Sequence, residues 1–168
     1  GASTNMESYA NSILYTDAVL KQIYEYARDN LHLQAMVYFS DHGEDLQISH
    51  NPDVFKFDMV RIPMFVYMSP SYKAALPLQA NALQHNEQQY FTNDMIYDTV
   101  CGILNAPSNH YDAGQDFSSA SYRFNQQNLT TMLGEHSLME DMPAAPGIGP
   151  DPLQGPGPGP GPGPAGQE

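Results

Sequence analysis

The residues best suited to chemistry form one short run, Ser40-Asp41-His42-Gly43-Glu44. Asp supplies a carboxylate oxygen and His a neutral imidazole nitrogen, a donor pair that suits zinc or another divalent metal. Gly43 is expected to let the backbone turn sharply around such an ion. Glu44 has a simpler expected role, orienting a ligand or accepting from nearby backbone N–H groups. The same residues admit a plainer reading, in which the Asp-His pair caps a turn or hydrogen-bonds locally. Two adjacent ligands also fall short of the three protein donors usual in catalytic zinc sites, so further donors must come from elsewhere.

Such a pair needs elements to carry it. Between residues 9 and 30 the apolar Ile13, Leu20, Ile23, Tyr24 and Ala27 recur at helical spacing among Lys21, Glu25, Arg28 and Asp29, which predicts an amphipathic helix. Residues 33–39, Leu-Gln-Ala-Met-Val-Tyr-Phe, read as a strand buried on both faces and leading straight into the Asp-His run. In parallel α/β sheets ligands gather beyond the carboxyl ends of strands, which is where this order puts Asp41 and His42.

Residues 61–69 read as a second strand, with Pro63 near its start and Pro70 closing it. A polar stretch rich in Gln and Asn follows. Thr92 or Asn93 is then expected to cap a helix running to Leu104, ended by Asn105-Ala106-Pro107. Residues 108–127 read as ordered coil with at most one short strand, anchored by Tyr111, Phe117, Tyr122 and Phe124. Cys101 and the methionines Met36, Met59, Met64, Met68 and Met95 sit among apolar neighbours and read as core fillers. His32, His85, His110 and His136 have no motif around them.

The ends are set aside from fold reasoning. Residues 1–3, Gly-Ala-Ser, read as a cloning scar, and residues 141–168 as a disordered tail in which Gly and Pro alternate with a period that excludes collagen. Six Lys and Arg against nineteen Asp and Glu give a formal net charge of -13, which repels phosphate backbones, so no nucleic-acid partner is expected. No apolar run approaches the ~20 residues of a membrane helix, and no signal peptide is evident.

The order of these features resembles the catalytic domains of bacterial phosphoethanolamine transferases, in the alkaline phosphatase and sulfatase superfamily. The resemblance rests on Tyr9-Ala10-Asn11-Ser12-Ile13-Leu14-Tyr15-Thr16-Asp17, then Ser40-Asp41-His42-Gly43-Glu44, then His50, then Arg61-Ile62-Pro63, and more loosely on Asp116-Phe117-Ser118-Ser119. It implies that residues 4–140 form the C-terminal part of a sulfatase-like catalytic domain. The implied fold is α/β, a partial alkaline-phosphatase-like sandwich whose mostly parallel sheet is flanked by helices.

Asp41 and His42 then match two zinc ligands and His50 a histidine that binds substrate phosphate or a second metal. The remaining ligands, an acidic residue and the threonine nucleophile, match nothing in this chain, which by itself is expected to be inactive. Thr16 and Asp17 match the family pattern yet read as helix packing or capping contacts. The implied reaction moves phosphoethanolamine from a phospholipid head group to an envelope lipid or sugar acceptor through that threonine. The implied partner is the missing N-terminal part of the catalytic domain, and the implied place is the periplasmic face of the inner membrane. Sulfate- or phosphate-ester hydrolysis and a non-catalytic truncated fragment are the alternatives. Such a fragment would expose apolar surface and self-associate.

Overall fold

A computed structural model describes residues 2–48, 51 and 53–141, with side chains from Glu7 onward. The tail from residue 142, Ser49, His50 and Pro52 lie outside the described residues. Helix α1 spans Ala2–Asn30 and therefore takes in Ala2 and Ser3, which had been set aside. Thr16 and Asp17 lie exposed in the middle of α1, away from either of its ends. It ends where His32 takes a positive φ of 52°.

Strand β1, Ala35–Phe39, pairs with β2, Met64–Met68, with Val37 opposite Val66. The pairing is antiparallel, which corrects the parallel sheet expected here. Parallel neighbours need a crossover, usually a helix. Among its described residues the link between these strands holds a 3-10 turn at Phe57–Met59 and no crossover helix, and the chain returns beside itself. The α/β content is otherwise as expected: helices accompany small sheets.

Alternation along the two strands serves two faces. Ala35, Val37, Val66 and Met68 pack on a cluster of Tyr72, Leu83, Ile103 and Phe117. Tyr67, on the opposite face, meets Tyr24 of α1 edge-on at 5.0 Å, and the Arg28 guanidinium lies 5.5 Å from the centre of the Tyr24 ring. Phe65, on the Tyr67 face, and Phe39, past Val37 on the cluster face, remain exposed at the far end of the ribbon. The strand expected to be buried on both faces is therefore half-buried.

Pro70 does more than close β2. It opens α2, Pro70–Ala75, where the Ser69 hydroxyl accepts from the Tyr72 amide at 2.9 Å, a side-chain N-cap ahead of a proline at the first helical position. Pro77 likewise opens α3, Pro77–Asn86. The stretch read only as polar is thus two helices, with Ala80, Ala82 and Leu83 turned inward.

A 3-10 turn at Asn93–Met95 leads into α4, Ile96–Ile103. Neither Thr92 nor Asn93 caps it through a side chain. Thr99 is fully buried in α4, and its hydroxyl accepts from the Phe117 amide at 3.0 Å.

Residues 108–127 form turns without a strand, and the expected anchors hold them: Phe117 meets Phe91 and Tyr122 edge-on at 5.2 and 5.0 Å. A small hairpin, β3 at Thr130–Thr131 and β4 at His136–Ser137, closes a second cluster of Met95, Leu129 and Leu138. Met59 and Met95 are buried and Met36, Met64, Met68 and Cys101 half-buried, in keeping with filler roles.

Candidate metal centre

Ser40 is the last residue held by strand pairing, its amide donating to Pro63 at 3.3 Å. The chain then leaves the sheet and is fastened from two sides. On one, the Gly43 amide donates to the Met59 carbonyl at 2.7 Å. On the other, the Asn93 side chain donates to the carbonyls of Ser40 at 3.2 Å and Asp41 at 2.8 Å.

Gly43 does not serve as a sharp turn, the role expected of it. Among the described glycines only Gly134 has a positive φ. A Cβ at Gly43 would instead strike the carbonyl oxygens of Asp58 and Arg61, with the Met59 carbonyl carbon 3.2 Å away. The position needs an absent side chain, because two main-chain segments meet there.

Between these fastenings Asp41 and His42 stand side by side, Nε2 of the imidazole 3.9 Å from Oδ2 of the carboxylate. Nδ1 of His42 lies 2.7 Å from the Gly43 carbonyl. A proton on Nδ1 satisfies that bond and puts the ring's lone pair on Nε2, the nitrogen toward Asp41. Oδ1 of Asp41 accepts from the His42 amide at 3.1 Å, and the Ser40 hydroxyl donates to the His42 carbonyl at 2.8 Å.

The electrostatics follow from these contacts. The His42 amide, then the amide of Asp41 itself, and after them the imidazole charge hold the Asp41 carboxyl below its ordinary range. The Gly43 carbonyl raises the His42 pKa above its usual value of 6.5, with the nearby charges of Asp41 and Glu44 adding to the effect. Both side chains face solvent, Asp41 89% exposed and His42 49%, so hydrogen bonds rather than burial hold them.

The donor types fit zinc: one carboxylate oxygen and one imidazole nitrogen on the same side of a loop. They are two donors only. Among the described residues no cluster of three or more His, Cys, Asp and Glu side chains could hold a metal ion. His50, expected to meet substrate phosphate, lies outside the described residues. Glu44 is half-buried.

Sequence reasoning missed Asp45. It is buried and accepts from Lys56 Nζ at 2.7 Å and from the amides of Gln47 and Ile48 at 2.8 and 2.9 Å. These contacts, Lys56 foremost, hold its carboxyl low and pin the turn that follows Glu44. An Asp two and three residues before the amides it accepts from is a turn signal legible in principle.

The pair opens onto a cleft of about 1600 Å³. Its wall includes Phe65, Asn93, Arg61 and Asp141, the last paired with Arg61 at 2.5 Å, and Arg61 also holds Asp58 at 3.0 Å. No helix among the described residues is long and apolar enough to cross a membrane.

Residues 2–106 match the protein family described as Sulfatase. The chain is 23% identical over 134 residues to the phosphoethanolamine transferase EptA of Escherichia coli, a match covering 72% of this chain and 24% of that protein. It is 30% identical over 110 residues to the Kdo(2)-lipid A phosphoethanolamine 7''-transferase of Salmonella typhimurium, covering 59% of this chain and 19% of the relative. The chain thus spans about a quarter or less of the length of these relatives. No solved structure matches it.

Proposed function

The chain belongs to the sulfatase family, and from that membership we propose that it carries the Asp-His corner of the metal site in a phosphoethanolamine transferase. The observation that carries the proposal is the Asp41-His42 pair, fastened at the end of a strand with Oδ2 and Nε2 3.9 Å apart. The relatives' printed names supply the reaction: transfer of phosphoethanolamine, to lipid A in one of them. In this reading the donor is a phospholipid head group, the acceptor an envelope lipid or sugar, and the place the periplasmic face of the inner membrane.

When bound, zinc supplies Lewis-acid activation of an attacking hydroxyl and neutralises charge on phosphate oxygens. Asp41 contributes an ionised oxygen and His42 its Nε2. The Gly43 carbonyl keeps the other ring proton in place, so the imidazole presents one nitrogen in a set orientation. Glu44 is close enough for its charge to act on the ring. His50 is assigned to the substrate phosphate, hydrogen-bonding its oxygens as charge builds. In this reading the attacking threonine and the further metal donors are assigned to no residue of this chain.

Purified chain is expected to bind zinc, and the Asp41→Ala, His42→Ala double variant to lose that binding. Equal zinc content in the two proteins, measured by atomic emission after dialysis, would sink the site.

Zinc affinity is also expected to depend on pH with a definite sign. The metal needs the neutral imidazole, and the raised His42 pKa lets the proton compete from above the ordinary 6.5. Affinity is therefore highest at alkaline pH and falls by about tenfold per pH unit once the imidazolium dominates. Asp41, held low, stays ionised over that range. A chelator-competition series from pH 8.5 to pH 5.5 measures this, and a flat profile would remove His42 from the ligand set.

A further inference from the structure

The Asp41-His42 pair is too exposed to be held by burial, so its orientation has to come from the main chain that carries it. The peptide unit joining the two residues is gripped at both ends. Its N–H, on His42, donates to Asp41 Oδ1 at 3.1 Å, and its C=O, on Asp41, accepts from Asn93 Nδ2 at 2.8 Å. The same Nδ2 reaches the Ser40 carbonyl at 3.2 Å.

We propose that Asn93 is a positioning residue for the metal-binding pair, fixing the plane of the 41–42 peptide so that Asp41 Oδ2 and His42 Nε2 converge. The inference rests on the zinc reading above. Rotation of that peptide would carry the His42 N–H away from Oδ1 and release the carboxylate that faces the ring. Both partners of Asn93 are carbonyl oxygens, which accept only, so the amide must present its NH2 group and its orientation is fixed.

Asn93 can resist such a rotation because its own backbone is anchored. It begins the 3-10 turn whose last residue, Met95, is 2% exposed in the second core cluster. The Met95 amide donates to the Thr92 carbonyl at 3.0 Å, and the Tyr122 hydroxyl touches Met95 Sδ at 3.1 Å. The Asn93 side chain is itself exposed, so little of the fold's packing depends on it. In sequence it looked like a helix cap, yet its donors are spent on a loop 52 residues upstream.

The test uses the whole chain with Asn93→Ala and Asn93→Asp, the latter of equal size but unable to donate when ionised. Zinc affinity is read by chelator competition, His42 amide hydrogen exchange is read without metal, and urea unfolding is followed in parallel. Both variants are expected to bind zinc about 10- to 100-fold more weakly, to exchange the His42 amide faster, and to unfold at the parental urea midpoint. Parental affinity and parental exchange in both variants would overturn the proposal. So would a fall in urea midpoint that tracks the loss of affinity, since it would assign Asn93 to the fold at large. A parent chain that binds no zinc refutes the metal reading, whereas unchanged exchange at His42 refutes the role of Asn93, so the two failures are told apart.

Discussion

Replacing Asp116 by alanine is expected to destabilise the chain by about 3 to 5 kcal/mol, because it strips a buried acceptor from several donors at once. The residue is 1% exposed. Its Oδ1 accepts from the Ser118 amide at 2.7 Å and the Ser118 hydroxyl at 2.6 Å, and its Oδ2 accepts from the Tyr111 hydroxyl at 2.6 Å. Alanine leaves the buried Ser118 amide and hydroxyl and the half-buried Tyr111 hydroxyl without that acceptor. Burial and then the Asp116 bond push the pKa of the Tyr111 hydroxyl far above the ordinary 10.

Packing sharpens the effect. Gly102 of α4 sits so close that a Cβ there would run into the Asp116 carboxyl and the Ser118 hydroxyl. Helix and loop are therefore fitted to this carboxyl. Urea unfolding measures the outcome, with Asn as the isosteric control that keeps the shape and loses only part of the acceptor capacity. A midpoint for Asp116→Ala within about 1 kcal/mol of the parent would show that the loop tolerates the loss.

What could be read from the sequence divides along the range of the interactions. Helix α1 and the two strands were visible because Leu20, Tyr24 and Ala27, or the run Met36-Val37-Tyr38, carry their pattern within a few residues. The Asp-His run was visible because both donors are adjacent. The direction of β2 was not, since nothing local distinguishes a strand that returns antiparallel from one reached by a crossover. Helices α2 and α3 were missed although Ser69-Pro70 and Pro77 are start signals. The Gln and Asn between them hid how few inward residues a short helix needs.

The candidate site shows the same division. Asp41 and His42 are legible as donors, but their fastenings are not. The bond from Asn93 to the Asp41 carbonyl crosses 52 residues, and an Asn ahead of an apolar helix gives only the local signal of a cap. Gly43 was noticed for the wrong reason. Glycine suggests a special φ, whereas here it answers to the backbone of residues 58–61, which no local pattern reveals.

That geometry makes Gly43→Ala the second large effect. The added methyl would collide with the Asp58 and Arg61 carbonyl oxygens, and these are main-chain atoms that cannot swing aside as a flexible side chain would. To admit it, the 3-10 turn at Phe57–Met59 must shift, and the bond from the Gly43 amide to the Met59 carbonyl is lost with that shift. Met59 is buried, so the displacement reaches the core. A loss of about 2 to 4 kcal/mol is expected, together with loss of zinc binding, because the Gly43 carbonyl that orients His42 moves as well. The comparison with Asn93→Ala separates the two fastenings: the Gly43 variant should lose both stability and metal, the Asn93 variant metal alone. A Gly43→Ala chain with parental urea midpoint and parental zinc affinity would mean that the loop does not approach residues 58–61 as closely as described, and would remove the physical reason for glycine in the motif.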